Sequence, residues 1–253
     1  HTTSDQISTR IGDTIGGMSS SGDTAATFCA TLVDEWARQG VRHAVVAPGS
    51  RSTPLAVALA RYEGIEVHVF HDERSASFAA LGIGVASGFP AVLLCTSGTA
   101  ATHFHGAVVE AHQSDVPMIV CTADRPPELR EVGAAQTIDQ THLFGSAVRW
   151  FHDPGVPSRD AASTWRSLAS RTVQAAIGVR PGPVHLNLPF REPLTGDVVD
   201  MPASREKKWS EVVRLGSSEN LEVSEIVKAI SGRRGVVIAG RGASRDVLSL
   251  AEA

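Results

Sequence analysis

Between residues 43 and 188, short apolar runs alternate with helical stretches, and this alternation constrains the fold more than any other feature. His43–Ala47, Ile65–Phe70, Ala91–Cys95, Pro117–Thr122 and Val184–Leu188 read as strands apolar on both faces, with Val148–Phe151 as a further candidate. Helical spacing precedes, separates and follows them. One helix is capped by Asp23 or Thr24, carries Phe28, Leu32 and Trp36 along one face, and stops at Gly40. Others start at Pro54 and cover Glu73–Ser87, Thr99–Gln113, a short Ile138–Phe144 and Ala161–Ile177. Strands apolar on both sides, separated by helices, predict an α/β domain with a doubly wound parallel sheet. Right-handed crossovers then gather the loops that follow the strands along one edge, where ligands of such sheets sit.

The flanks differ in texture. Residues 1–22 are rich in Ser, Thr, Asp and Gly without periodicity and are expected to be a disordered leader before the domain at 23–194. Residues 195–219 are polar and include Lys207-Lys208, as in an interdomain linker. A helix (Leu221–Ile230) and a strand (Gly235–Ala239) then open a second α/β domain at 220–253. Its last helix, Ser244–Ala253, runs to the end of the chain, and the first residue is His1 rather than Met, so the sequence reads as a fragment.

Composition excludes several classes. A net charge of −4 leaves no basic footprint for nucleic acid or an acidic membrane. No apolar run reaches membrane-spanning length and no signal peptide is visible, which predicts a cytoplasmic protein. Cys29, Cys95 and Cys121 form no C-x-x-C pair and read as core residues in a reducing compartment.

The loops after the strands carry the unusual residues: Pro48-Gly49-Ser50-Arg51, His71-Asp72-Glu73-Arg74, Thr96-Ser97-Gly98-Thr99 and Ala123-Asp124-Arg125-Pro126-Pro127. Four consecutive loops of this kind predict a cleft. On spacing alone, Glu73 reads first as a helix-start glutamate favoured by the helix dipole. The small residues behind it (Ala76, Ala79, Ala80, Gly82, Gly84, Ala86) shift that balance, because they allow close packing that would place the carboxylate in a partly dry site. Arg51 or Arg125 alone reads as a solvated arginine. Together on one edge they suit a substrate with several carboxylates, which guanidinium binds in a planar fork. Gln136 is either a loop hydrogen-bonder or a turn residue, and spacing does not decide between them.

Familiar motifs are missing. Gly82-x-Gly84-x-x-x-Gly88 lies inside a helix, not at a strand-to-helix turn, so it is no dinucleotide fingerprint. There is no phosphate-loop lysine motif and no G-x-S-x-G elbow around Ser50 or Ser97. His103 and His105 point to different helix faces, and His105 and His112 stand about 10 Å apart along an axis. These histidines read as structural, and no metal-ligating set is read in the chain.

Five stretches together resemble the thiamine-diphosphate enzyme family: VVAPGSRSTPLA (45–56), HVFHDERSASFAALGIG (68–84), LLCTSGTA (93–100), TADRPPELREVGAAQTIDQ (122–140) and GPVHLNLPFREPL (182–194). The glutamate followed by a small-residue helix is typical of that superfamily's pyrimidine-binding domain. PGSR, TADRPPEL and GAxQ point within it to the synthases that make 2-succinyl-5-enolpyruvyl-6-hydroxy-3-cyclohexene-1-carboxylate on the way to menaquinone. The likeness covers residues 24–194, with a weaker one at VVIAGRGAS (236–244).

The resemblance implies a decarboxylating transferase that joins 2-oxoglutarate to isochorismate on thiamine diphosphate. Glu73 would hydrogen-bond N1′ of the cofactor's aminopyrimidine and so promote loss of the thiazolium C2 proton. Thr96, Ser97 and Gly98 would lie near the cofactor at a subunit boundary. Ser50, Arg51, Arg125 and Gln136 would line the substrate side, with the arginines on carboxylates. The family's diphosphate domain, which holds Mg2+ (or Mn2+), is not in this sequence, which implies a chain inactive alone and an active homodimer or dimer of dimers. Ala135 stands where the family's GANQ segment has Asn. Two alternatives stay open: another carboligase or decarboxylase of the acetolactate synthase type, or a non-catalytic binding module.

Overall fold

In a computed structural model of the chain, residues 20–206, 209 and 231–232 are described. Contacts divide the chain into two units, His1–Val212 and Val213–Ala253. The expected leader up to residue 19 and the elements Leu221–Ile230, Gly235–Ala239 and Ser244–Ala253 lie outside the described residues.

The first unit is the expected α/β domain. In chain order its main elements are α1 (Ser21–Gln39), β1 (His43–Val46), α2 (Thr53–Arg61), β2 (Glu66–Val69), α3 (Glu73–Ser87) and β3 (Ala91–Cys95). They continue with α4 (Thr99–Thr102), α5 (His105–Gln113), β4 (Met118–Asp124), β5 (Trp150–His152), α6 (Ala162–Ile177) and β6 (Pro183–Pro189). The six strands form one sheet in the order β2-β1-β3-β4-β6-β5, with every pairing parallel. The order reverses direction at β1 and β3, the kind of crevice where doubly wound sheets bind ligands.

Side chains alternate between two apolar layers. Ala44, Val46, Val92, Leu94, Ile119, Cys121, Val184 and Leu186 pack against Phe28, Leu32, Trp36, Leu55, Leu59, Trp165 and Val173 of α1, α2 and α6. On the opposite face, Val45, Leu93, Cys95, Met118 and Val120 pack against Ala76, Ala80, Phe104 and Val108. This period-two alternation makes the central strands read as unbroken apolar runs. The edge strands β2 and β5 are the exceptions: neither has a buried residue, and Val69 of β2 is 60% exposed.

Several boundaries differ from the sequence expectation for local reasons. α1 starts at Ser21, inside the expected leader, because Ser20 and Asp23 form a reciprocal capping box. The single helix expected over Thr99–Gln113 breaks at His103-Phe104, where i→i−3 bonds to Ala100 and Ala101 tighten the turn around buried Phe104. No helix forms at 138–144; that stretch is turns, with a positive φ at His142. Residues 195–206, expected as linker, lie along α1 and α6: Asp197 N–H donates to Asp23 and Val199 N–H to Thr27 of α1, and Arg166 Nε of α6 donates to the Pro202 carbonyl. Cys29, Cys95 and Cys121 are free and buried, as core residues should be.

Candidate functional site

The loops that follow β1, β3, β4 and β6 stand side by side in the sheet, and their side chains reach one another. After β1, Arg51 folds inward: Nη1 donates to the Phe190 carbonyl at 2.9 Å and Nη2 to Glu192 Oε1 at 3.1 Å, both from the loop after β6. Its buried Nε has no partner among the described residues. After β4, Arg125 donates through Nη1 to Ser97 Oγ, in the loop after β3, and through Nη2 to the Ala135 carbonyl at 3.1 Å. Gln136, whose own φ is +56°, donates Nε2 to the Ser97 carbonyl at 3.1 Å. Gly98 N–H donates to Gln140 Oε1 at 2.8 Å.

Arg51 and Arg125 are close enough to repel. Desolvation first, and Arg51 second, pull the Arg125 pKa down from its ordinary value. Two guanidiniums this close favour an anion beside them.

Close backbone approach holds these loops. A Cβ on Gly49 would come within 2.4 Å of the Thr96 Cβ, so the loops after β1 and β3 touch only because residue 49 has no side chain. Thr96 is buried beneath it. Gly98 sits at φ +84°, and a Cβ there would meet the Gln136 backbone oxygen at 3.0 Å. Ser50 is the one exposed residue of the turn Ser50–Ser52, its carbonyl accepting from Thr53 N–H. No side-chain bond from Ser50 reaches the arginines among the described residues.

Glu73 stands on the same edge, one strand further out. It is the first residue of α3, behind Asp72, whose carboxylate caps the helix by accepting from Ser75 N–H at 2.7 Å. Hydrogen bonding from the Ser75 side chain first, and from its backbone N–H second, holds the Asp72 pKa below its ordinary value. Glu73 is half-buried and has no hydrogen bond or ion pair among the described residues. Burial first, and the nearby Glu73 carboxylate second, push the Cys95 thiol pKa up. Of the small residues behind it, Ala76, Ala80 and Gly84 are buried, and a Cβ on Gly84 would meet Val116 at 2.7 Å. Gly82 has open space around it. One stripe of α3 therefore packs on its own sheet, while Phe78 and Val85 stay exposed.

Beneath the arginines lies a buried polar network that the apolar-run reading passes over. Asp124 is buried and accepts from Asn187 Nδ2 (2.9 Å) and Arg125 N–H (2.7 Å), and pairs with Arg130 (2.9 Å). Asn187 also accepts from Thr122 and from Gln140, and Gln140 Nε2 reaches the Ala123 carbonyl. Burial raises the Asp124 pKa, and the Asn187 bond and Arg130 charge oppose that shift. The available signal was polar alternation inside strands: Thr122 and Asp124 in one, His185 and Asn187 in its neighbour, all on one face.

Residues 26–143 match the family described as thiamine pyrophosphate enzyme, N-terminal TPP binding domain. A parallel sheet with flanking helices is the architecture of that class. Over more of its length the chain is similar to curated 2-succinyl-5-enolpyruvyl-6-hydroxy-3-cyclohexene-1-carboxylate synthases. It is 51% identical to the one from Thermobifida fusca over 83% of this chain and 39% of that protein. It is 46% identical to the one from Bacillus velezensis over 89% of this chain and 41% of that protein. For the Haloquadratum walsbyi synthase the identity is 43%, over 83% and 36%. The chain belongs to this synthase family, and it spans about two fifths of the length of the curated relatives it matches.

Proposed function

We propose that this chain supplies the pyrimidine side of a thiamine-diphosphate site. The complete enzyme decarboxylates 2-oxoglutarate and transfers the four-carbon remainder to isochorismate, in menaquinone biosynthesis. One observation carries this reading: a half-buried glutamate without a partner among the described residues shares a sheet edge with two mutually repelling arginines.

The residues present fit the cofactor's pyrimidine half. An acceptor carboxylate at Glu73 is available to a ligand N–H, and the buried Arg51 Nε still lacks an acceptor. When bound, thiamine diphosphate supplies the carbon nucleophile on which a 2-oxo acid loses carbon dioxide. Glu73 holds a proton at the ring nitrogen N1′ of the pyrimidine. Thr96, Ser97 and Gly98 form the neighbouring wall on the cofactor side. Arg51 and Arg125 hold substrate carboxylates, with Ser50 and Gln136 beside them. A substrate carboxylate on Arg51 replaces the bond to Glu192, whose side chain is 73% exposed and yields readily to competition.

Mg2+ or Mn2+ is held outside this chain, with the diphosphate. Phe78 and Val85 on α3 and Val109 on α5 offer an apolar face for a second subunit, which supports a homodimer or dimer of dimers. Three free, buried cysteines suit a cytoplasmic enzyme.

The test is Glu73→Gln in the complete enzyme. The amide keeps size and hydrogen-bonding reach but cannot hold the proton, so product formation drops at least about 100-fold. The melting temperature stays that of the wild type. Turnover within a few-fold of wild type would remove Glu73 from the mechanism and the reading with it.

A further inference from the structure

At the opposite end of the strands from the arginines, β1 and β2 bring together two imidazoles and a carboxylate. The parallel register sets His43 beside Glu66 and Val45 beside His68. His43, Val45, Glu66 and His68 therefore share one face, with neighbouring strands about 4.8 Å apart and residues i and i+2 about 6.6 Å apart. The imidazoles stack at 5.6 Å between centroids with 27° between planes. His68 Nε2 lies 3.4 Å from His43 Nδ1. Glu66 closes the triangle, with Oε2 3.6 Å from His43 Nδ1 and Oε1 3.9 Å from His68 Nε2.

We propose that His43, Glu66 and His68 form a binding site for a divalent transition cation of the Zn2+ class, completed by water. In tetrahedral zinc sites the metal–ligand bonds are about 2.0–2.2 Å, so adjacent ligand atoms stand about 3.3–3.6 Å apart. The observed separations are 3.4, 3.6 and 3.9 Å, close to that size before any ion draws them in. Two imidazoles and one carboxylate select zinc and its neighbours over Mg2+ or Ca2+, which prefer oxygen ligands throughout. Both histidines are about one-third exposed and Glu66 about two-thirds, so water and metal reach the site from the edge of the sheet.

Without metal, one imidazole donates to the other. With metal, His43 keeps its proton on Nε2 and His68 on Nδ1, leaving both lone pairs toward the ion. The ion then bridges the edge strand β2 to β1, and anything that binds only the folded chain raises its stability. This assignment is independent of the function proposed above, because it uses none of the same residues.

The experiment takes the full chain, freed of metal with a chelator and returned to chelator-free buffer, and titrates it with Zn2+ calorimetrically. One ion binds per chain, and Zn2+ raises the melting temperature. His43→Ala, His68→Gln and Glu66→Gln each weaken that binding by at least about tenfold, which is about 1.4 kcal/mol. His103→Ala, outside the cluster, leaves it unchanged. Co2+ gives a four-coordinate visible spectrum in wild type that His68→Gln abolishes. Should His43→Ala fail to fold, the other two variants decide, since both side chains reach solvent. Absence of saturable one-to-one Zn2+ binding, or equal affinity in wild type and cluster variants, overturns the assignment.

Discussion

His185 is shut from water in β6, with Nε2 2.8 Å from Thr122 Oγ1 and Nδ1 without a partner. The Phe144 and Phe151 rings flank it at 4.8 and 5.1 Å. Burial, with a smaller push from His142, lowers its pKa to about 3. An unfolded histidine titrates near about 6.5, so below that pH the unfolded chain takes up a proton the folded chain refuses. Stability is therefore complete above the unfolded value and drains away as pH falls toward the folded one. His152, whose pKa is also lowered chiefly by burial, acts with the same sign. Asp124 acts with the opposite sign, because its raised pKa lets the folded chain take up a proton first. The informative quantity is thus the difference between wild type and His185→Gln. Urea unfolding should show the wild type losing about 2 kcal/mol more than the variant between pH 7 and pH 5. Parallel pH profiles would mean that His185 is protonated in the folded chain.

The helix pair α1 and α6 is joined by a polar seam as well as by the Phe28–Trp165 edge contact at 5.4 Å. Arg166, almost fully buried, donates Nη1 to Asp34 at 2.6 Å and to Glu35 at 3.1 Å. Glu35 in turn accepts from Gln39, which also reaches Ser170. Removing Arg166 strands a buried Glu35 charge, so Arg166→Leu should cost about 3–5 kcal/mol in urea unfolding. The double variant with Glu35→Met should recover most of that loss, because two apolar groups replace the pair. A double variant as unstable as the single one would place the cost in packing and not in charge.

This seam also marks how far elements are legible in sequence. Apolar runs and caps gave the strands of the sheet and placed α3 at Glu73–Ser87, because those signals are local. Residues 138–144 had helical spacing but form turns. Gln140 spends its side chain on Gly98, Ala123 and Asn187, partners 17 to 47 residues away that no local pattern contains. Likewise, Arg51 and Arg125 were visible as loop arginines, whereas their partners, at Phe190 and Glu192 for one and at Ser97 and Ala135 for the other, depend on which loops become neighbours. The facing of His43, Glu66 and His68 depends on the β1–β2 register in the same way.

At the scale of the molecule, the candidate site has one wall. Glu73 and the arginines lie on a sheet edge, and the carboxylate proposed to share a proton with a pyrimidine is only half-buried. A proton relay works best where water is excluded, since charge interactions weaken several-fold between a dry site and bulk solvent. On the proposed reading, the second wall and the ligands for the diphosphate come from outside the described residues, and the curated relatives are more than twice as long as this chain. We therefore expect the 253-residue chain alone to bind thiamine diphosphate with Mg2+ at least about 100-fold more weakly than the complete enzyme, a difference of about 2.7 kcal/mol or more. It should form no product from 2-oxoglutarate and isochorismate at saturating cofactor. Calorimetry on the two proteins side by side measures the first expectation, and product analysis measures the second. Tight binding by the chain alone would mean that its single wall already holds the diphosphate, and turnover would mean that the whole site lies within these residues.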